Sequence, residues 1–326
     1  MKTLNSKVLR MVICSIALLG SAVWGSAQTR KRVHEVSAFN AIDVKNNFEV
    51  TVAKGGYGVK LTVDNALSDF AKVYVKGNTL YIYCDEKAIP KEVKKMYKGK
   101  NAPVPVLRAV VYAPELSGIT MDDESTLTGA DDFNAERFEM SLAGKANVKT
   151  LTVHANSARI QMKKNSQAVL SLETSGEIDV TTENAANLRL ASNSRDLTLN
   201  AAGSSQQSIS CDVLTALTVN AEGSSQTSVG VNTAKVYVAA AGSSKVAVSG
   251  TANALTVKTA RSASVDALGL PVQEAEVEMN NGTVTLSPEK SLSLDLSNGG
   301  TVNYNGTPEI KVVKIVKSTL LPYGTK

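Results

Sequence analysis

The chain is 326 residues long and carries a net charge of +5, a length that suits one or two domains. Residues 1–27 hold three cations (Lys2, Lys7, Arg10) and no anions, so without them the charge falls to +2. A surface so nearly neutral gives no footing for a nucleic-acid partner.

Residues 1–27 read as a secretory signal peptide. A basic start precedes an apolar run over 11–24 that is too short to span a bilayer, and Gly25-Ser26-Ala27 follows ahead of Gln28. The chain is therefore expected to be exported, to the periplasm or the cell surface. Cys14 follows Ile13, where lipoprotein cleavage needs a small residue, so lipidation at Cys14 is not expected.

Residues 28–118 read as an N-terminal β portion with period-two alternation. Val33, Val36, Phe39, Ile42, Val44, Phe48, Val50 and Val52 lead to a glycine turn at 55–58. Val59, Leu61 and Val63 follow, and Val73 and Val75 run through Gly77-Asn78 into Leu80, Ile82 and Cys84. A Gly-Asn pair between alternating runs signals a tight turn. The one short helix this half allows lies over 66–72. Residues 86–105 break the pattern with Lys87, Lys91, Lys94, Lys95, Lys98 and Lys100 interleaved with Pro90, Pro103 and Pro105. This is a solvated loop or, as a functional reading, a docking site for an anionic partner such as acidic glycan or lipid headgroups. Val106, Val110 and Val111 then resume strand.

From 119 to 310 a repeat takes over. Leu197-Thr-Leu-Asn-Ala-Ala-Gly-Ser-Ser recurs as Leu217-Thr-Val-Asn-Ala-Glu-Gly-Ser-Ser and Val236-Tyr-Val-Ala-Ala-Ala-Gly-Ser-Ser, at offsets of 20 and 19 residues. Looser copies stand before and after. Self-similarity at this period marks a stacked repeat. Leu199, Val219, Val238 and Val257 in one strand, and Ile209, Val229 and Val248 in the next, keep a nearly fixed offset, as like-on-like stacking in a parallel β-solenoid requires and a hairpin meander does not. Gly203, Gly223 and Gly242 mark sharp corners, and the serine pairs after them are expected to stack into a hydroxyl ladder that satisfies corner backbone groups. Asn220, Glu222, Gln226 and Thr227 are placed on the outer walls. Residues 311–326 are a C-terminal strand, carrying Val312, Val313, Ile315 and Val316, and a tail.

Cys84 shares parity with Leu80 and Ile82, and Cys211 stands where Val231 stands one unit on. Both read as small core side chains rather than disulfide partners. His34 and His154 have no cysteine, carboxylate or serine at a motif spacing, and His154 falls on an outward position. No nucleophile elbow, calcium nonapeptide or phosphate-binding glycine loop is present. The acidic cluster Asp122, Asp123 and Glu124, with Asp131 and Asp132, reads as a solvated turn. No catalytic residue, metal or cofactor is assigned.

The opening Arg32-Val33-His34-Glu35-Val36-Ser37-Ala38-Phe39-Asn40-Ala41-Ile42-Asp43-Val44, then Gly77-Asn78-Thr79-Leu80-Tyr81-Ile82 and the serial Leu-x-Val-x-x-x-Gly-Ser-Ser units, resemble the "putative auto-transporter adhesin, head GIN domain" family of exported Bacteroidetes proteins. The resemblance covers about 32–307. It implies a right-handed parallel β-helix, a surface or adhesive role, and no catalytic residues. The chain departs from it in the lysine-rich stretch, and no C-terminal membrane barrel is expected, since Val312, Val313, Ile315 and Val316 read as one last apolar strand. The leading expectation is thus an exported, non-enzymatic β-solenoid that serves as a binding or structural module, with a glycan or protein ligand, no membrane span once the signal peptide is cleaved, and a homo-oligomer as a third possibility. The alternative is a carbohydrate-active β-helix enzyme, a polysaccharide lyase or hydrolase, which needs clustered acids and bases from successive coils.

Overall fold

A computed structural model describes residues 29–324, so the leader over 1–27 lies outside the described residues. Alternating Leu, Val and Ile favour extended backbone and put every apolar side chain on one side of the strand. That side has to be covered, and a copy of the strand one period later can cover it. The chain accordingly winds into a β-solenoid of about 10 turns.

Two parallel ladders run along the coil. In the first, Leu199 lies over Val219, Val219 over Val238 and Val238 over Val257. The column continues through Val277 and Leu294 to Val312. In the second, Ile209 lies over Val229 and Val229 over Val248. Burying each such side chain contributes roughly 1.5–3 kcal/mol, which ordering the backbone largely offsets.

Several inward places in the second ladder are polar, among them Ser192, Ser194, Gln207 and Thr227. Gln207 and Thr227 are buried where Leu188 precedes and Val246 follows. Thr227 is therefore not on the outer wall, where the sequence reading placed it. The Gln207 amide donates to Thr182 Oγ1 at 2.9 Å and to the Asn200 carbonyl at 3.1 Å, and Thr227 Oγ1 donates to Gln207 Oε1 at 3.4 Å. Burial of Gln207 and Thr227 is tolerable because neighbouring rungs supply their partners.

At one corner Asn184, Gly203, Gly223 and Gly242 share a left-handed conformation, with φ between 61° and 76°. The corner's backbone is satisfied from rung to rung: Ser204 N donates to Asn184 O at 2.6 Å, and Ser224 N to Gly203 O at 2.7 Å. The serine pairs do not form the expected satisfying ladder. Ser204, Ser224 and Ser243 are exposed, whereas Ser205, Ser225 and Ser244 are fully buried. Of the buried three only Ser244 reaches a carbonyl, that of Ala221 at 3.2 Å.

The strands before residue 118 enter the same ladders. These are β1 (Thr29–Glu35), β2 (Ala41–Val44), β3 (Glu49–Lys54), β4 (Gly58–Asp64), β5 (Ala71–Lys76) and β6 (Thr79–Cys84). After them come α1 (Lys91–Met96), β7 (Leu107–Ala113), β8 (Gly118–Met121) and β9 (Thr126–Leu142). β2 lies between β6 and β8, and β3 between β7 and β9, all parallel. β5 runs antiparallel on β6, β4 antiparallel on β7, and β1 antiparallel on β4. The helix expected over 66–72 is instead a single 3-10 turn, Asn65–Leu67, because Ala71 and Lys72 already pair in β5. In β7 the inward residues are Leu107, Ala109 and Val111, with Val110 on the outer side. Val33 is exposed because β1 is a sheet edge.

Cys84 and Cys211 are both buried and unbridged, and Cys211 lies over Val231 as the repeat implies. Burial pushes the Cys84 thiol up to about 11 and the Cys211 thiol up to about 12, with nearby carboxylates adding to the effect. Both thiols are expected to resist a disulfide reagent at pH 8 until urea unfolds the chain, since thiolate is the nucleophile. Their protonated form is favoured in the fold, so this contribution to stability is intact below the usual thiol range and declines as pH rises toward 11–12. A thiol that reacts rapidly in the native protein would contradict this placement.

Candidate binding surfaces

Residues 86–105 are more ordered than a loop. Ile89, Val93 and Tyr97 are spaced four apart and pack against the core, which gives α1 one apolar face. Asp64 anchors the far end of the segment, its Oδ2 accepting from Val106 N at 3.3 Å while its own N donates to Val106 O at 2.9 Å. Burial first, and then Asp64, pushes the Tyr97 phenol up to about 12. Lys87, Lys91, Lys95, Lys98 and Lys100 are exposed and Lys94 is half-buried. None of the six forms an ion pair among the described residues. Lys94 and Lys98 border a cavity of about 430 Å³ whose lining includes Leu67, Cys84, Ile89 and Leu107.

The acidic residues after Met121 serve the turn and the strand beside it. Asp123 Oδ2 accepts from Asn46 N at 2.9 Å, Asp131 Oδ2 from Lys54 N at 2.8 Å, and Glu124 pairs with Lys145 at 2.5 Å. Asn46 Oδ1 in turn accepts from Cys84 N at 2.8 Å, tying this turn to β6.

Beyond these, the outer walls carry polar side chains joined rung to rung in two short rows. Asn220 Nδ2 donates to Asn200 Oδ1 at 2.9 Å, Asn232 Nδ2 to Asp212 Oδ1 at 2.8 Å, and Thr251 Oγ1 to Asn232 Oδ1 at 2.9 Å. One shallow groove holds Asn220, Glu222, Lys258, Glu278, Asp295 and Lys314. Lys258 and Glu278 pair there at 2.6 Å, and the carboxylate raises the Lys258 ammonium above its usual range. Exposed pairs of this kind add little stability; they set the pattern that a ligand meets.

His154 has partners that a motif search along the chain does not reveal. Its Nδ1 lies 2.9 Å from Glu173 Oε2 and its Nε2 is 3.9 Å from Asp132 Oδ2. Both carboxylates come from neighbouring rungs, Glu173 directly opposite His154. The repeat offset was the signal that would have found them. The imidazole lies on an open wall, without the water-excluding enclosure that preorganised acid–base chemistry uses. Among the described residues no group of three or more His, Cys, Asp or Glu could hold a metal ion, and no helix is long and apolar enough to cross a membrane.

A solenoid with long polar walls and hydrogen-bonded side-chain rows has the form of an extended contact surface. The chain belongs to the family described as "Putative auto-transporter adhesin, head GIN domain", which matches residues 38–212 and 205–308. Similar solved structures include a "putative adhesin" from Parabacteroides merdae, 14% identical, covering 91% of this chain and 97% of that one at a TM-score of 0.38. Another "putative adhesin", from Bacteroides fragilis, is 14% identical and covers 91% and 98% at 0.30. A "putative lipid binding protein" from Parabacteroides distasonis is 16% identical and covers 91% and 98% at 0.33. No curated protein matches.

Proposed function

We propose that the chain is an exported, non-enzymatic binding module whose solenoid walls meet a glycan or protein ligand at the cell surface or in the periplasm. The polar outer walls carry this reading, because Asn200 and Asn220, and likewise Asp212, Asn232 and Thr251, bond from rung to rung at the ~4.8 Å spacing of paired strands. A long periodic surface suits an extended ligand better than a single small molecule. Protease treatment of intact cells separates the two locations: digestion places the chain at the surface, and full protection removes the adhesive version. The six free lysines add a second contact, a docking patch for an anionic partner. Reversing Lys91, Lys94, Lys95 and Lys98 to Glu is expected to weaken binding to a sulfated glycan or to phosphatidylglycerol vesicles by well over tenfold at low salt. This follows from about 1 kcal/mol per cation near an anionic surface. Binding that is unchanged in the variant, or indifferent to salt, would remove the patch.

The groove with Lys258, Glu278 and Asp295 from successive rungs favours one rival, a carbohydrate-active enzyme. Incubation with a panel of polysaccharides distinguishes them. The binding reading expects no new reducing ends and no unsaturated products.

A further inference from the structure

The two ends of the coil are finished differently. At the N-terminal end β5, β4 and β1 extend the ladders as antiparallel strands. In the last described rung Glu309–Ile315 pairs on one side only, with the strand over 291–296, and no other described strand covers it. Ile310 and Val312 point inward beneath Leu292 and Leu294, yet they are 37% and 52% exposed while the two leucines are fully buried. Val313, Ile315 and Leu321 are exposed as well. The core thus stands open in cross-section beside a row of unpaired backbone groups, a template for strand addition.

Charge selects the occupant. Lys311, Lys314 and Lys317 lie along this edge with no ion pair among the described residues. A second copy is disfavoured. Antiparallel self-pairing that keeps Ile310 opposite Ile315 sets Lys311 opposite Lys314, and head-to-tail stacking brings the same lysines against Lys72 and Lys76 of β5. A bilayer would neutralise the lysines but leave the edge N–H and C=O groups unpaired. The rungs above supply the matching pattern: Glu274, Glu276 and Glu278 alternate with Ala275, Val277 and Met279.

We propose that the open C-terminal rung is a docking edge for an extended polypeptide segment of alternating acidic and apolar residues, which adds as a further strand to Glu309–Ile315. This rests on the reading of the chain as a binding module, but at a place separate from the lysine patch on 86–105 and sharing only Lys314 with the groove on the wall.

The probe is a labelled synthetic peptide, Gln-Glu-Ala-Glu-Val-Glu-Met-Asn, copied from residues 273–280, with a control in which its three glutamates are lysines. Fluorescence anisotropy with the purified protein is expected to show saturable binding of the acidic peptide at least roughly tenfold tighter than of the control. Lys311→Glu with Lys314→Glu is expected to reverse that preference. The comparison of the two peptides on the unaltered protein stands even where the variant fails to fold. Absent or equal binding of the two peptides would overturn the proposal. So would binding to phosphatidylglycerol vesicles in place of the peptide, or a dimer in light scattering that Val312→Lys dissolves. None of these outcomes touches the protease and wall-binding tests of the module itself.

Discussion

Val238→Asp is expected to unfold the protein or to lower its stability by at least about 4 kcal/mol. The side chain is buried between Val219 and Val257, and neither offers a hydrogen-bond donor to a carboxylate. An unpaired charge in such a place is among the most damaging single changes known, and native domains have only about 5–15 kcal/mol to lose. Ala239→Asp, one residue on, points outward between Asn220 and Lys258 and is expected to stay within about 0.5 kcal/mol. Urea unfolding followed by circular dichroism measures both. Equal midpoints for the two variants would mean that the inward column is misassigned.

Gly223→Val is expected to cost about 2–4 kcal/mol. Gly223 sits at φ +71°, and a Cβ there would lie 2.9 Å from the carbonyl oxygen of Gly203. The left-handed backbone alone costs a side chain about 1–2 kcal/mol, a β-branched one tolerates it least, and the contact with the rung beneath adds to this. Gly230→Ala is the control, since its position is not left-handed and a Cβ would meet nothing within 4 Å; its thermal midpoint is expected to hold or rise slightly. Gly223→Asn should be milder than Val, because Asn184 holds the same corner at φ +61°. A thermal midpoint for Gly223→Val equal to that of Gly230→Ala would show that the corners are not stacked as described.

The coil was legible because two simple periods coincide, apolar parity along each strand and a 19–20 residue offset between strands. Val219 over Val238 follows from these alone. Thr227 was misplaced because its parity is inward while its chemistry reads outward. Only Gln207, one rung away, explains how its hydroxyl is accommodated. The helical face of Ile89, Val93 and Tyr97 was present in the sequence, but the lysines and prolines around it obscured the four-residue spacing. For His154 the partners were hidden by distance along the chain. Glu173 becomes its neighbour only once the rungs are stacked.

The place of β2 and β3 sets an order of assembly. Both lie between strands that come later in the chain, β6 and β7 on one side and β8 and β9 on the other. As the chain folds, these early segments cannot complete their ladders until residues up to about 129 are in place. Each subsequent turn needs only the one just laid down. Nucleation is therefore nonlocal and expected to be the slower step, with growth afterwards proceeding rung by rung, like a zip whose slider has been seated.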